Sequence, residues 1–201
     1  MKAEETPWSE DFRTCVEFHG HTCPGLAIGY RAATILMDRL DVKRSPDEEL
    51  LAIVENDACG TDAIQVMTGC TFGKGNFIFR DYGKQVFTFL RRPAGGGVRV
   101  SLRAGATRPP TGNARLDALS AKVSQGEATE TERRLQRKLR TDLILSVPDA
   151  VLFDIRRVKT RLPETAKIRR SIACARCGEP TMETRLVTVR GKRICIPCSD
   201  T

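Results

Sequence analysis

Hydrophobic positions change their spacing several times along this chain, and each change marks an element. Leu26, Ala27, Tyr30, Ala33, Ile35, Met37 and Leu40 recur at mixed helical spacing. They predict a helix from Pro24 to about Asp41, with Pro24 as its first residue after a Thr22 or Cys23 cap. Leu50 to Glu55 opens with an unbroken apolar run and predicts a buried strand, preceded at Pro46-Asp47-Glu48-Glu49 by a short helix start. Ala63, Val66, Met67 and Cys70 return to helical spacing behind a turn containing Cys59 and Gly60, with Thr61 or Asp62 available as cap. Phe77-Ile78-Phe79 and Val86 to Leu90 read as strands, and Asp81-Tyr82-Gly83-Lys84 between them predicts a β-hairpin turn.

After Ala94-Gly95-Gly96-Gly97 comes another strand, Val98 to Leu102. Helical patterns follow over Leu116 to Val123 and Thr129 to Ser146, the second opened by a Thr129/Glu132 capping box and closed by Val147-Pro148. Val151 to Ile155 predicts a last strand, and Arg161 to Thr165 is the linker, so a core domain over 1–163 is expected ahead of a small module over 164–201.

That module carries Cys174-Ala175-Arg176-Cys177-Gly178 and Cys195-Ile196-Pro197-Cys198, two Cys-x-x-Cys knuckles separated by 17 residues. The spacing is that of a structural zinc site on Cys174, Cys177, Cys195 and Cys198. Between the knuckles, residues 184–194 read as a hairpin turning at Gly191. So short a segment cannot bury an apolar core, and the metal must supply much of its folding energy. A zinc ribbon is the plain reading, a truncated treble clef the alternative.

Composition sharpens this. With 40% hydrophobic and 29% charged residues the chain is ordinary for a folded protein. No apolar run approaches the roughly 18 to 20 residues that span a bilayer, and Met1 to Glu5 lacks a secretory pattern, so a cytoplasmic location away from membranes is expected. Thiols stay reduced there, and the eight cysteines read as ligands or reactive groups before disulfides. Residues 1–150 carry 21 Lys/Arg against 20 Asp/Glu, whereas 151–201 carry 12 against 5, a net of +7. Any acidic partner, nucleic acid included, is therefore sought at the tail.

The two histidines of the chain both lie within five residues of one cysteine, in Phe18-His19-Gly20-His21-Thr22-Cys23-Pro24-Gly25. Two imidazoles and a thiol suit zinc-class metals, and a Cys/His pair is also a kit for thiolate chemistry. Cys23 at a helix start has the helix dipole and free N–H groups to lower its pKa. Cys59, at a second turn into a helix beside Asp62, supplies a further candidate ligand. Cys15 and Cys70 read as core residues, and Thr71, Lys74 and Asn76, in a glycine-rich loop, as a site for a small anion or polar cofactor.

These stretches, together with Leu26 to Arg31, Cys59 to Gln65, Thr68 to Asn76 and Asp81 to Lys84, resemble the FmdE-like family, named for its association with formylmethanofuran dehydrogenase, over roughly residues 10–160. The tail resembles the zinc finger carried by some members. The resemblance implies an α+β core with a mixed or antiparallel sheet, an intertwined homodimer, association with oxidoreductase subunits, and a site in which His21, Cys23 and Cys59 match metal or catalytic positions. An enzyme or accessory subunit is thus expected, with metal on His21, Cys23 and Cys59, a fourth position open, and His19 or Asp62 orienting a ligand or moving a proton. A metal-free variant makes Cys23 the nucleophile and His21 its base. The alternative of another class is a metal-sensing or regulatory protein whose basic zinc finger binds nucleic acid or a protein partner.

Overall fold

The computed structural model describes residues 8–106 and 112–200, which fall into two compact units, Met1–Thr165 and Ala166–Thr201. The N-terminal Met1 to Glu5 lies outside the described residues. In the first unit, helices α1 (Glu10–His19) and α2 (Pro24–Leu40) precede strand β1 (Leu50–Val54) and helix α3 (Gly60–Thr68). Strands β2 (Phe77–Phe79), β3 (Val86–Arg91) and β4 (Gly96–Leu102) follow, then helices α4 (Ala114–Gln125), α5 (Glu130–Ser146) and α6 (Asp149–Leu152), and strand β5 (Phe153–Lys159). The result is an α+β domain with a mixed sheet in the order β2-β1-β3-β4-β5.

Two expectations about this sheet are corrected. β2 and β3 do not form a hairpin: β1 lies between them, parallel to β2 and antiparallel to β3. The connection passes round the end of β1, where Arg80 N donates to Val54 O at 2.9 Å and Lys84 N to Glu55 O at 2.9 Å. No helix forms at 46–49 either, because the Glu49 carboxylate folds back to accept from Ser45 Oγ at 2.5 Å and Asp47 N at 3.0 Å. Such side-chain bonds to nearby backbone compete with a helical turn. Residues 151 and 152 complete α6 before β5 begins.

β1 is buried at every position, which explains its unbroken apolar run. Leu50, Ala52 and Val54 pack with Phe87, Phe89, Leu26 and Leu36 on the helical side. Leu51 and Ile53 pack with Leu90 on the other side, under Val158 and Leu162. Arg31 of α2 joins the helical layer to the C-terminus of α5. Its guanidinium donates to the carbonyls of Ile144, Leu145 and Val147 at 2.7, 2.9 and 2.8 Å and pairs with Asp149. Carbonyls at a helix end lack intrahelical donors, so one cation satisfies several of them along the dipole. At the other end of α5 the Thr129/Glu132 capping box is complete.

α2 and α3 cross with almost no side chain between them. A Cβ on Gly29 would lie 2.1 Å from the Gly60 carbonyl oxygen, so only glycine permits this approach. The contact brings the first turns of the two helices together.

The second unit holds two small antiparallel ribbons, β6 (Ser171–Ala173) with β7 (Pro180–Met182) and β8 (Leu186–Val189) with β9 (Lys192–Cys195), then the single turn α7 (Ile196–Ser199). The second ribbon turns through Arg190 and Gly191, both at positive φ.

Candidate metal centre

Three helix termini build the cluster in the first unit. α1 ends at His19, and Gly20, with φ 88° and its N–H bonded to Val16 O, reverses the chain so that His21 follows at once. Cys23 caps α2 in extended backbone, its sulfur accepting from Leu26 N at 3.3 Å. Cys59 precedes α3 without serving as a side-chain cap; neither Thr61 nor Asp62 takes that role, and Thr61 Oγ1 donates back to Ala58 O. Asn56 secures this turn, accepting from Ala58 N and donating to Lys84 O at 2.7 Å.

The ligand atoms of His19, His21, Cys23 and Cys59 all lie within 4.8 Å of one another. A tetrahedral zinc shell with ordinary Zn–S and Zn–N bonds spaces its donors by roughly 3.3 to 3.8 Å, so modest closure completes it. The imidazole rings of His19 and His21 stack at 4.4 Å with 39° between planes. His19 Nδ1 is 2.7 Å from Asp62 Oδ2, while its Nε2 is buried with no hydrogen-bond partner. A buried polar nitrogen left unpaired is costly, and a metal in the cluster would satisfy it. The donor set therefore fits a zinc-class ion.

This differs from the three-ligand arrangement of His21, Cys23 and Cys59 with an open position. The geometry adds His19 to the set and makes Asp62 the carboxylate that orients it, an arrangement common at zinc-bound histidines. Sequence spacing could not reveal that partner, because Asp62 lies 43 positions from His19. The expected lowering of the Cys23 pKa is also corrected. Burial pushes the thiol up, and the neighbouring Cys59 adds to this against the opposing Leu26 N–H. Helix placement alone does not decide a thiol's pKa where desolvation is stronger.

Thr71, Lys74 and Asn76 are engaged by the fold itself. Lys74 Nζ donates to the carbonyls of Ser45, Pro46 and Asp47, and Asn76 donates to Asp47 O and Leu50 O while accepting from Thr71 N. Thr71 Oγ1 accepts from Lys74 N. Their polarity holds the Ser45–Leu50 segment to the loop, in place of the small-ligand site read from the sequence. Cys15 and Cys70 are buried, and burial pushes the Cys15 thiol up to about 12.

Beside His21 opens a shallow pocket of about 480 Å³, lined also by Trp8, Thr22, Arg134, Arg137 and Lys138. His21 itself is exposed.

In the second unit the sulfurs of Cys174, Cys177, Cys195 and Cys198 likewise lie within 4.8 Å of one another. Backbone N–H groups of Cys177, Cys195 and Arg176 pull the Cys174 thiol down to about 6, as ligand thiolates require. Several cations are taken up locally: Arg176 donates to Cys198 O, Arg170 to the Glu183 carboxylate and Arg193 to Glu183 O.

Fold and clusters together define a two-unit protein: a mixed-sheet α+β domain with a His/Cys cluster at its helix termini, followed by a four-cysteine zinc finger. The family model described as "FmdE, Molybdenum formylmethanofuran dehydrogenase operon" matches residues 18–154, and the chain belongs to that family. The model of the prokaryotic dksA/traR C4-type zinc finger matches residues 167–200. A protein of Archaeoglobus fulgidus named "Probable S-adenosyl-L-methionine-binding protein" is 34% identical over 177 residues, covering 85% of this chain and 48% of that protein. The chain thus spans about half the length of this curated relative. The crystal structure of an FmdE-like protein of the tungsten formylmethanofuran dehydrogenase type, from Syntrophus aciditrophicus, shares the fold, with a TM-score of 0.62 at 22% identity over 94% of this chain and 90% of that one. Among the described residues no helix is long and apolar enough to cross a membrane.

Proposed function

We propose that the FmdE-type domain carries a zinc-class ion on His19, His21, Cys23 and Cys59, and that this ion is the working centre of an enzyme or oxidoreductase-associated subunit. The observation that carries the reading is the buried, unpartnered Nε2 of His19, set among three other ligand atoms while Asp62 holds the opposite ring nitrogen. When bound, such an ion supplies Lewis-acid polarisation of a substrate. The chain's own groups then have defined tasks. Asp62 keeps the His19 proton on Nδ1 and the Nε2 lone pair turned inward; Leu26 N–H steadies the Cys23 sulfur; and His21, exposed beside a pocket, is the ligand a substrate can displace.

Metal quantification on the full chain and its variants tests this. Two equivalents per chain are expected, one lost in Cys23→Ser or Cys59→Ser and the other in Cys177→Ser. A single equivalent that neither core substitution removes sinks the proposal. S-adenosyl-L-methionine, the ligand in the Archaeoglobus relative's name, is the first small molecule to titrate. Saturable binding that disappears with the core metal would assign the same ligand to this centre.

A further inference from the structure

The pocket beside His21 carries chemistry that the metal cluster does not explain. Arg134, Arg137 and Lys138 stand on one face of α5, at the spacing that stacks side chains on a helix. One oxygen of the Glu130 carboxylate accepts from Arg134 Nε and from Arg137 Nη2, both at 3.2 Å. Each guanidinium has five N–H groups, so most of their donors are uncommitted. Asp142 accepts from Lys138 Nζ and from Trp8 Nε1, both at 2.9 Å, and so fixes the indole, whose ring packs edge-on against Phe12 with centroids 5.4 Å apart. Three cations stand against two carboxylates on this wall. A divalent ion with two thiolates and two neutral imidazoles adds no net charge, so an anion is favoured there.

Resting on the metal reading above, we propose that this pocket binds the anionic end of the substrate, a carboxylate or phosphate held by Arg134 and Arg137 with its body against Trp8 and its reactive end at His21. Glu130 already shows the paired guanidiniums accepting a carboxylate oxygen between them. Bidentate geometry of this kind selects planar or multi-oxygen anions over simple halides.

Trp8 is the single tryptophan of the chain, so its fluorescence reports on the pocket directly. Acetate and inorganic phosphate are titrated separately into the metal-loaded full chain, with chloride at matched ionic strength as reference. A saturable change with either anion is expected, weakened about tenfold or more in Arg134→Gln/Arg137→Gln. Response to acetate alone assigns a carboxylate and response to phosphate alone a phosphate; both are positive outcomes. No saturation beyond the chloride reference, or saturation that the double substitution leaves unchanged, overturns the proposal. Metal content is measured on the same samples. Two equivalents with no anion response ends only the pocket assignment, whereas one equivalent unaffected by Cys59→Ser ends the reading of the metal centre.

Discussion

The four ligands in the first unit and the four in the second have similar spacing but opposite supports. His19, His21, Cys23 and Cys59 hang on helix termini held by a cluster that includes Phe12, Leu26, Leu36, Phe87, Phe89 and Phe153, all essentially inaccessible to solvent. In the second unit the buried apolar set among the described residues is Cys174, Ile194 and Cys195, with Leu186 and Cys198 packed against it. Most of that set are ligands themselves. Metal dependence of folding follows from what lies behind the ligands, so one site is a product of its fold and the other is the reason for its fold.

Stripping the metal breaks this contrast most visibly. Cys177→Ser, or chelation of the wild type, should abolish the folded state of 166–200, since metal binding contributes on the order of 10 kcal/mol to such modules. The thermal transition of the first unit should stay where it is. Amide exchange followed by mass spectrometry reads both units at once; protection surviving over 171–195 after metal removal contradicts the claim.

The same contrast governs what the sequence disclosed. The tail site was legible in full as a ligand set, because its cysteines are local pairs and Arg190-Gly191 marks the turn between them. In the first unit, local features were legible too: the Cys23 cap, the buried strand and the capping box all depend on neighbours within a few residues. What failed depends on long-range placement. Apolar alternation identifies Phe77–Phe79 and Val86–Arg91 as strands but carries no information that β1 will lie between them. Thr71, Lys74 and Asn76 look like ligand-binding groups until the Ser45–Leu50 carbonyls arrive to occupy them. The Cys23 pKa needed the degree of burial, and the role of His19 needed Asp62.

If the first site is a product of its fold, disturbing the fold far from any ligand atom should remove the metal. Gly29→Ala tests this. Its Cβ would fall 2.1 Å from the Gly60 oxygen, backbone against backbone, with no flexible side chain to yield. The helices must part, at a cost of about 2 to 3 kcal/mol typical of severe overpacking, and Cys23 and Cys59 part with them. Denaturant melts should show the lower stability, and metal analysis should show one equivalent missing. An alanine variant that keeps both equivalents would mean the helix crossing does not set the ligand spacing.

Asp62→Asn makes the smallest change and separates the two kinds of site most sharply. The carboxylate touches neither sulfur nor metal position; it holds His19 Nδ1 at 2.7 Å and is itself one-third exposed. Replacing it with an amide keeps the volume and a hydrogen bond but removes the charge that raises the basicity of the ring. Orienting partners of this kind typically change metal affinity by about 10- to 100-fold. Folding should scarcely register the loss, because the apolar cluster beneath the helix termini is unaltered. The expected result is a core-site affinity, measured by competition with a colorimetric chelator, weakened within that range at an unchanged melting midpoint for the metal-free first unit. Equal affinity in the variant would leave Asp62 as a surface partner of His19 and no more, and the fourth ligand would then lose the support that distinguishes it from a buried histidine.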